Sequence, residues 1–315
     1  MMSRTWIFAG LAAASAACTQ TSTPSAPPPE APSGASPSSL PSSSPASQPA
    51  SGPSSAAGAR AAAGRARLEK TDAGRAVLAA AQAHGGLEQW FEAGALAFTY
   101  DYQPVEGPRR TSHQVVDLLS ARAYHEMTAP VTGQLAFDGK MAWFDLKEGE
   151  TYPARFWALT PYYFVGMPFV LSDAGVNLAF SEDDPVKAGF ARGTQVVKAT
   201  FDPGTGDAPD DYYVLYLDGK THMVLGLRYV VSYAPFMREG MSHTPEKLLV
   251  YEDYADYGGV KIASREVFFA FAEGKKGPKV TLSEVSRIEL PAAFDARRLE
   301  KPAGGVVDDA LGAGH

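Results

Sequence analysis

The sequence predicts a mainly β, α+β fold: one antiparallel sheet of about eleven or twelve strands, strongly curved or nearly closed, preceded by a helix. Three observations lead there. Beyond residue 95, apolar residues alternate with polar or small ones in many short runs, the period of a strand with one buried face. Turn signals built on Gly, Pro and Asp separate those runs at hairpin spacing. Only residues 155–171 (RFWALTPYYFVGMPFVL) break the pattern, and that stretch is apolar on almost every side.

The N-terminus has the layout of a secretory signal: Arg4, a short apolar run over residues 6–14, then small residues leading into Cys18. The run is shorter than the ~20 apolar residues needed to span a bilayer. Ser15-Ala16-Ala17-Cys18 resembles a bacterial lipobox, although Ser15 stands where the pattern usually has Leu, Val or Ile. That resemblance implies cleavage after residue 17 and lipidation of Cys18. Thr19, rather than Asp, then implies delivery to the outer membrane, facing the periplasm or the cell surface. Cys18 is the only cysteine of the 315 residues, so no intramolecular disulfide can form and a hydrophobic core must carry stability.

Residues 18–66 read as the lipidated cysteine and a disordered tether. Beyond Cys18 they are rich in Ser, Pro, Ala and Gly, with almost nothing large and apolar to bury. A flexible coil of that length spans ~40 Å root-mean-square. The folded domain is expected over residues 67–302. It begins with a helix capped at Thr71-Asp72, carrying Val77, Leu78 and Ala81 on one stripe and ending at Gly85-Gly86. A short turn with Trp90 and Phe91 follows. Then Leu96, Phe98, Tyr100 and Tyr102 open the period-two pattern, and Leu225, Leu227, Tyr229, Val231 and Tyr233 continue it. The 155–171 stretch reads as a buried helical insertion, broken at Pro161 and Pro168. Residues 303–315, rich in Gly, Ala and Asp, are expected to be a disordered tail.

Several pieces together resemble an uncharacterised family of exported proteins related to the lipoprotein-carrier (LolA/LolB-like) superfamily. They are His84-Gly85-Gly86 with Trp90 and the strand opening at Leu96; the insertion with Pro161-Tyr162-Tyr163-Phe164 and Pro168-Phe169; the hairpin around Tyr212-Tyr213 and Asp218 with Thr221-His222; and Leu290-Pro291 before Phe294. The resemblance covers roughly residues 70–300. It implies a half-barrel enclosing helices, an apolar cavity that accepts acyl chains, and no catalytic residues.

The residues themselves offer little chemistry. The six histidines form no HxH, HExxH or HxxxH pair, and no GxSxG elbow or Gly-rich phosphate loop is present. His84 reads as a helix C-terminal residue bonding the last carbonyls, and His222 as part of a hairpin end. The acidic stretches at 181–184 and 207–211 do not match a calcium loop and read as solvated. No metal, cofactor or enzymatic activity is therefore expected. With 28 basic and 35 acidic residues, and no basic cluster longer than a pair, the charge balance argues against a nucleic-acid partner.

What remains is an aromatic content of 11%, absent from residues 19–89 and so concentrated in the domain. Two readings stand. In the first, a membrane-anchored binding module, carrier or receptor in type, takes a lipid or lipidated chain. Phe156, Trp157, Tyr162, Tyr163, Phe164 and Phe169 then form a lid or plug, and Tyr100, Phe137, Trp143, Tyr216, Leu225 and Tyr229 line the sheet. In the second, the same aromatics are a filled core, and the outer surface meets another envelope protein.

Overall fold

The computed structural model describes residues 55–147, 152–208 and 210–311. The signal segment, Cys18 and the expected tether up to residue 54 lie outside the described residues.

The first helix, α1 (Ala56–Leu68), is capped by Ser55, whose hydroxyl accepts the Gly58 N–H at 3.0 Å. It occupies the end of the segment expected to be tether. The spacer-like composition misleads there, because alanine is also the best helix former and small residues let a helix approach its neighbours closely. Ala61 and Leu68 are buried, and a Cβ on Gly64 would lie 3.0 Å from the Ser172 side chain. Helices α2 (Asp72–Ala83) and α3 (Leu87–Glu92) follow. Thr71 caps α2 as expected, accepting the Gly74 N–H at 2.9 Å. The turn between α2 and α3 requires glycine: Gly85 has φ +124°, and a Cβ there would sit 2.3 Å from the Gly259 carbonyl oxygen.

Twelve strands then run from β1 to β12: β1 (Ala95–Pro104), β2 (Arg110–Asp117), β3 (Arg122–Ala129), β4 (Gly133–Phe137), β5 (Ala142–Leu146), β6 (Val176–Phe180), β7 (Gln195–Phe201), β8 (Tyr212–Leu217), β9 (Val224–Tyr229), β10 (Lys247–Tyr257), β11 (Val260–Ala272) and β12 (Lys275–Glu289). A short β13 (Val306–Asp308) pairs with β5. All belong to one antiparallel sheet, in the order β13-β5-β4-β3-β2-β1-β12-β11-β10-β9-β8-β7-β6. The sheet does not close, and β13 and β6 are its edges. β13 lies in the expected disordered tail. Val306-Val307 is a β-branched pair, and the otherwise free edge of β5 supplies backbone partners for it.

Between β5 and β6 the chain leaves the sheet to form α4 (Ala154–Val165) and a 3-10 turn, Phe169–Ser172. The expected helical insertion is therefore present, with one difference. Pro161 lies inside α4 rather than ending it, and the helix stops only at Gly166, before Pro168. The helices cover the inner face of the sheet. The main core lies between them, from Leu96, Phe98 and Tyr100 on β1 to Leu227, Leu249 and Phe268.

The outer face is also packed in two places. Tyr124, Ala136 and Trp143 are covered by Phe294 and Leu299 near the C-terminus. Val214, Tyr216 and Leu248 are covered by Ala188 and Phe190 from the β6–β7 connection. This is why strands such as β8 read as apolar on both sides.

Candidate ligand cavity

Helix α4 does not fill the whole space it spans. Between it and β6–β9 lies a partly open cavity of about 350 Å³. The helix contributes Phe156, Leu159, Tyr163 and Phe164 to its wall. The strands contribute Val176, Phe201, Tyr213 and Tyr229, and the chain after β9 adds Val231 and Tyr233. Phe137 and Gly139 of the β4–β5 hairpin border it as well. Aromatic contacts fix these walls: Phe164 packs on Tyr229 with ring centroids 5.0 Å apart, Phe201 on Tyr213 at 5.3 Å, and Phe156 on Tyr233 at 5.3 Å. Phe236, one of the few large apolar residues left exposed, packs edge-to-face on Phe156 at 4.7 Å.

Charged groups are held at the same cavity by specific bonds. Arg155, at the start of α4, donates to Asp207 through Nε at 2.6 Å and through Nη2 at 2.8 Å. Its Nη1 donates to the Lys140 carbonyl at 2.7 Å, and its backbone N–H donates to Asp308 of β13 at 2.8 Å. One residue thus ties together the β4–β5 turn, the β7–β8 connection and β13. Asp173 pairs with Arg60 of α1 at 2.7 Å, while burial raises its carboxyl above the usual range. Asp211 accepts the Ser232 N–H at 2.5 Å, and burial pushes its carboxyl up to about 6. The tyrosines stay protonated at any ordinary pH, because burial pushes Tyr163 and Tyr233 up to about 12 and raises Tyr213 and Tyr229 well above the ordinary phenol range. The arrangement offers apolar wall, phenol hydroxyls and carboxylates.

Of the twelve residues expected at a ligand site, Phe137, Phe156, Tyr163, Phe164 and Tyr229 border this cavity. The other seven do not. Trp143 and Tyr216 lie on the outer face, where Trp143 donates its indole N–H to the Leu299 carbonyl at 2.7 Å. Leu225 joins them because the β8–β9 register slips between Tyr216 and Leu217, a bulge that turns Leu225 outward among Tyr216 and Leu248. Tyr162 and Phe169 pack against Trp90 of α3, with Phe169 stacked on the indole at 4.5 Å and 7°. Tyr100 donates to the buried Glu266 at 2.7 Å. Together with Trp157 it borders a separate void of about 10 Å³ beside Gln114 and His125, a volume suited to one water.

Phe201, Tyr213, Tyr233, Arg155, Asp207 and Asp211 are cavity residues that the sequence did not single out. Tyr213 had a usable signal, its period-two partnership with Leu215 and Leu217. Asp207 and Asp211 had none, since a buried carboxylate and a solvated loop acid look alike in sequence. Of the two histidine readings, His84 is buried with Nδ1 2.8 Å from the Ala80 carbonyl, as expected of a helix end. The His222 N–H bonds the Asp218 carbonyl across the hairpin. Among the described residues no three His, Cys, Asp or Glu side chains converge as a metal site would require.

No family model and no curated protein matches the sequence. Among solved structures the chain is similar to a LolA superfamily protein from Nitrosomonas europaea, at 9% identity and TM-score 0.48, over 73% of this chain and 98% of that one. It is similar to a putative outer membrane lipoprotein-sorting protein domain from Vibrio parahaemolyticus, at 12% identity and TM-score 0.41, over 66% and 89%. A DUF1329 family protein from Desulfovibrio piger gives 8% identity and TM-score 0.45, over 72% and 97%.

Proposed function

We propose that this protein is an envelope lipoprotein, anchored through Cys18, whose β domain binds a lipid or a lipidated chain as a carrier or receptor and performs no chemistry on it. The observation that carries this reading is the cavity. Its volume of about 350 Å³ falls at the lower end of the ~300–1,000 Å³ common for small-molecule sites. Its walls are mainly aromatic and aliphatic, with a few convergent polar groups. Such a wall binds by removing apolar surface from water, worth ~25 cal/mol per Å² before the costs of association. The alternative, an interaction protein with a filled core, assigns no role to this apolar cavity.

The test is mass spectrometry of the protein purified natively from the cell envelope. An apolar molecule at near-equal stoichiometry, released on denaturation, is the expected result. An empty protein that also fails to bind added neutral lipid would end the carrier reading. Replacing Cys18 by Ser is expected to release the protein from the membrane fraction, and persistence there after a salt wash would contradict the anchor.

A further inference from the structure

The cavity is not electrically neutral, and its imbalance points to the head group of its ligand; this step rests on the binding function proposed above. Four charged side chains border the space: Arg155, Asp173, Asp207 and Asp211. The single cation is already committed, with bonds to both Asp207 carboxylate oxygens and to the Lys140 carbonyl. Its side chain is only 14% exposed. An anionic head would have to displace Asp207 to reach it.

The acids are differently placed. Asp207 is paired with Arg155, and Asp173 with Arg60. Asp211 forms no ion pair among the described residues; its hydrogen-bond partner is Ser232, whose backbone N–H it accepts at 2.5 Å. Asp211 immediately precedes β8, two residues before Tyr213, whose ring is part of the cavity wall with that of Tyr229. Electron-rich ring faces beside a carboxylate are the surroundings that favour a cation. A second, independent feature marks the same space as a ligand site. Tyr233 is 1% exposed and borders the cavity, yet its hydroxyl has no hydrogen-bond partner. A buried hydroxyl without a partner costs free energy that a bound polar group would recover.

We infer that the cavity selects an apolar chain ending in a cationic amine, held by Asp211 among Tyr213 and Tyr229, over the same chain ending in a carboxylate. The selection works in both directions. An ammonium group gains Asp211 and the ring faces, and a carboxylate meets three acids and one occupied guanidinium. The apolar wall itself is indifferent to the head.

The experiment is displacement of a fluorescent neutral monoacylglycerol from the full domain. Dodecylamine, dodecanol and dodecanoate are compared below their micelle concentrations. In the wild-type protein the amine is expected to displace the label at roughly tenfold lower concentration than the carboxylate, equivalent to about 1.4 kcal/mol, with the alcohol between them. In Asp211→Asn, the amine-to-alcohol ratio is expected to fall towards one, with a melting curve confirming that the variant is folded. Equal or better displacement by dodecanoate in the wild type overturns the inference without needing any variant. An unchanged amine preference in folded Asp211→Asn removes Asp211 from it. No saturable binding of the neutral label overturns the binding function and this inference together, whereas neutral binding without amine preference overturns this inference alone.

Discussion

The two sides of the aromatic insertion meet different fates. Tyr162 and Phe169 turn towards α3 and are locked on Trp90, with Phe169 lying almost parallel to the indole. Tyr163 and Phe164, adjacent in sequence to Tyr162, turn towards β8 and β9 and border empty space. Composition is the same on both sides, so it does not decide the outcome. What differs is the opposing layer. Against α1–α3, small residues such as Ala61 and Gly64 let the helices settle closely on the insertion. Against the strands, the curved sheet and the rings of Phe201, Tyr213 and Tyr229 leave a gap. An apolar cavity survives here because none of the described residues fills it.

The largest expected effect falls on the filled side. Phe169→Ala removes a ring that is 1% exposed and is expected to cost about 3–5 kcal/mol of stability, read as a lowered denaturation midpoint. Because Phe169 does not border the cavity, affinity for a neutral lipid is expected to stay within twofold. A large change in affinity would show that the two sides are not independent. On the hollow side, Phe164→Ala is expected to cost less, about 2–3 kcal/mol, because the ring already lacks packing partners on one side. It enlarges the site and is expected to tighten binding of a bulky neutral lipid. Equal costs for the two variants, with no change in binding, would erase the distinction between the sides.

A smaller, pH-dependent effect tests whether the core around Glu266 is dry. Glu266 is completely buried on β11, and burial raises its carboxyl to about 8. In the folded protein it is protonated at neutral pH, whereas in the unfolded chain it is ionised above its ordinary value near 4.5. Between those values the folded state holds more protons, so stability falls as pH rises from about 4.5 to 8 and levels off above. The slope from this group is at most about 1.4 kcal/mol per pH unit. Glu266→Gln is expected to remove that slope, making the variant more stable than the wild type at pH 8 but not at pH 4. Parallel profiles would mean that water reaches Glu266 and that the core beneath α4 is wetter than its packing indicates.

The sequence made some of this contrast legible and hid the rest. Alternation from Leu96 to Tyr102 and the turn signals lead directly to a single antiparallel sheet, and twelve strands lie between Ala95 and Glu289. The apolar stretch at 155–171 announces a buried insertion because no loop of that composition could face water. Which ring meets which layer is not written in the period. Trp143 and Tyr216 are as apolar in context as Tyr229, and only the packing of Leu299 and Phe190 on the outer face separates them. Leu225 keeps the alternation of Leu227 and Tyr229, but a bulge moves it to the other side. The helix Ala56–Leu68 and the strand Val306–Asp308 escape notice for another reason. Each depends on a partner distant in the chain, α3 for the one and β5 for the other.

The central claim, that the space beside α4 is a lipid site rather than a packing defect, is tested most directly by filling it. Leu159 borders the cavity from the helix, and Leu159→Trp would place a larger side chain in part of its volume. Fluorescence titration of a neutral lipid on the wild type and on Leu159→Trp, each with its melting temperature, is the decisive pair. Saturable one-to-one binding in the wild type, lost in a variant that melts no lower, is the expected result. Binding that survives the filling, or no saturable binding in the wild type, would contradict the claim.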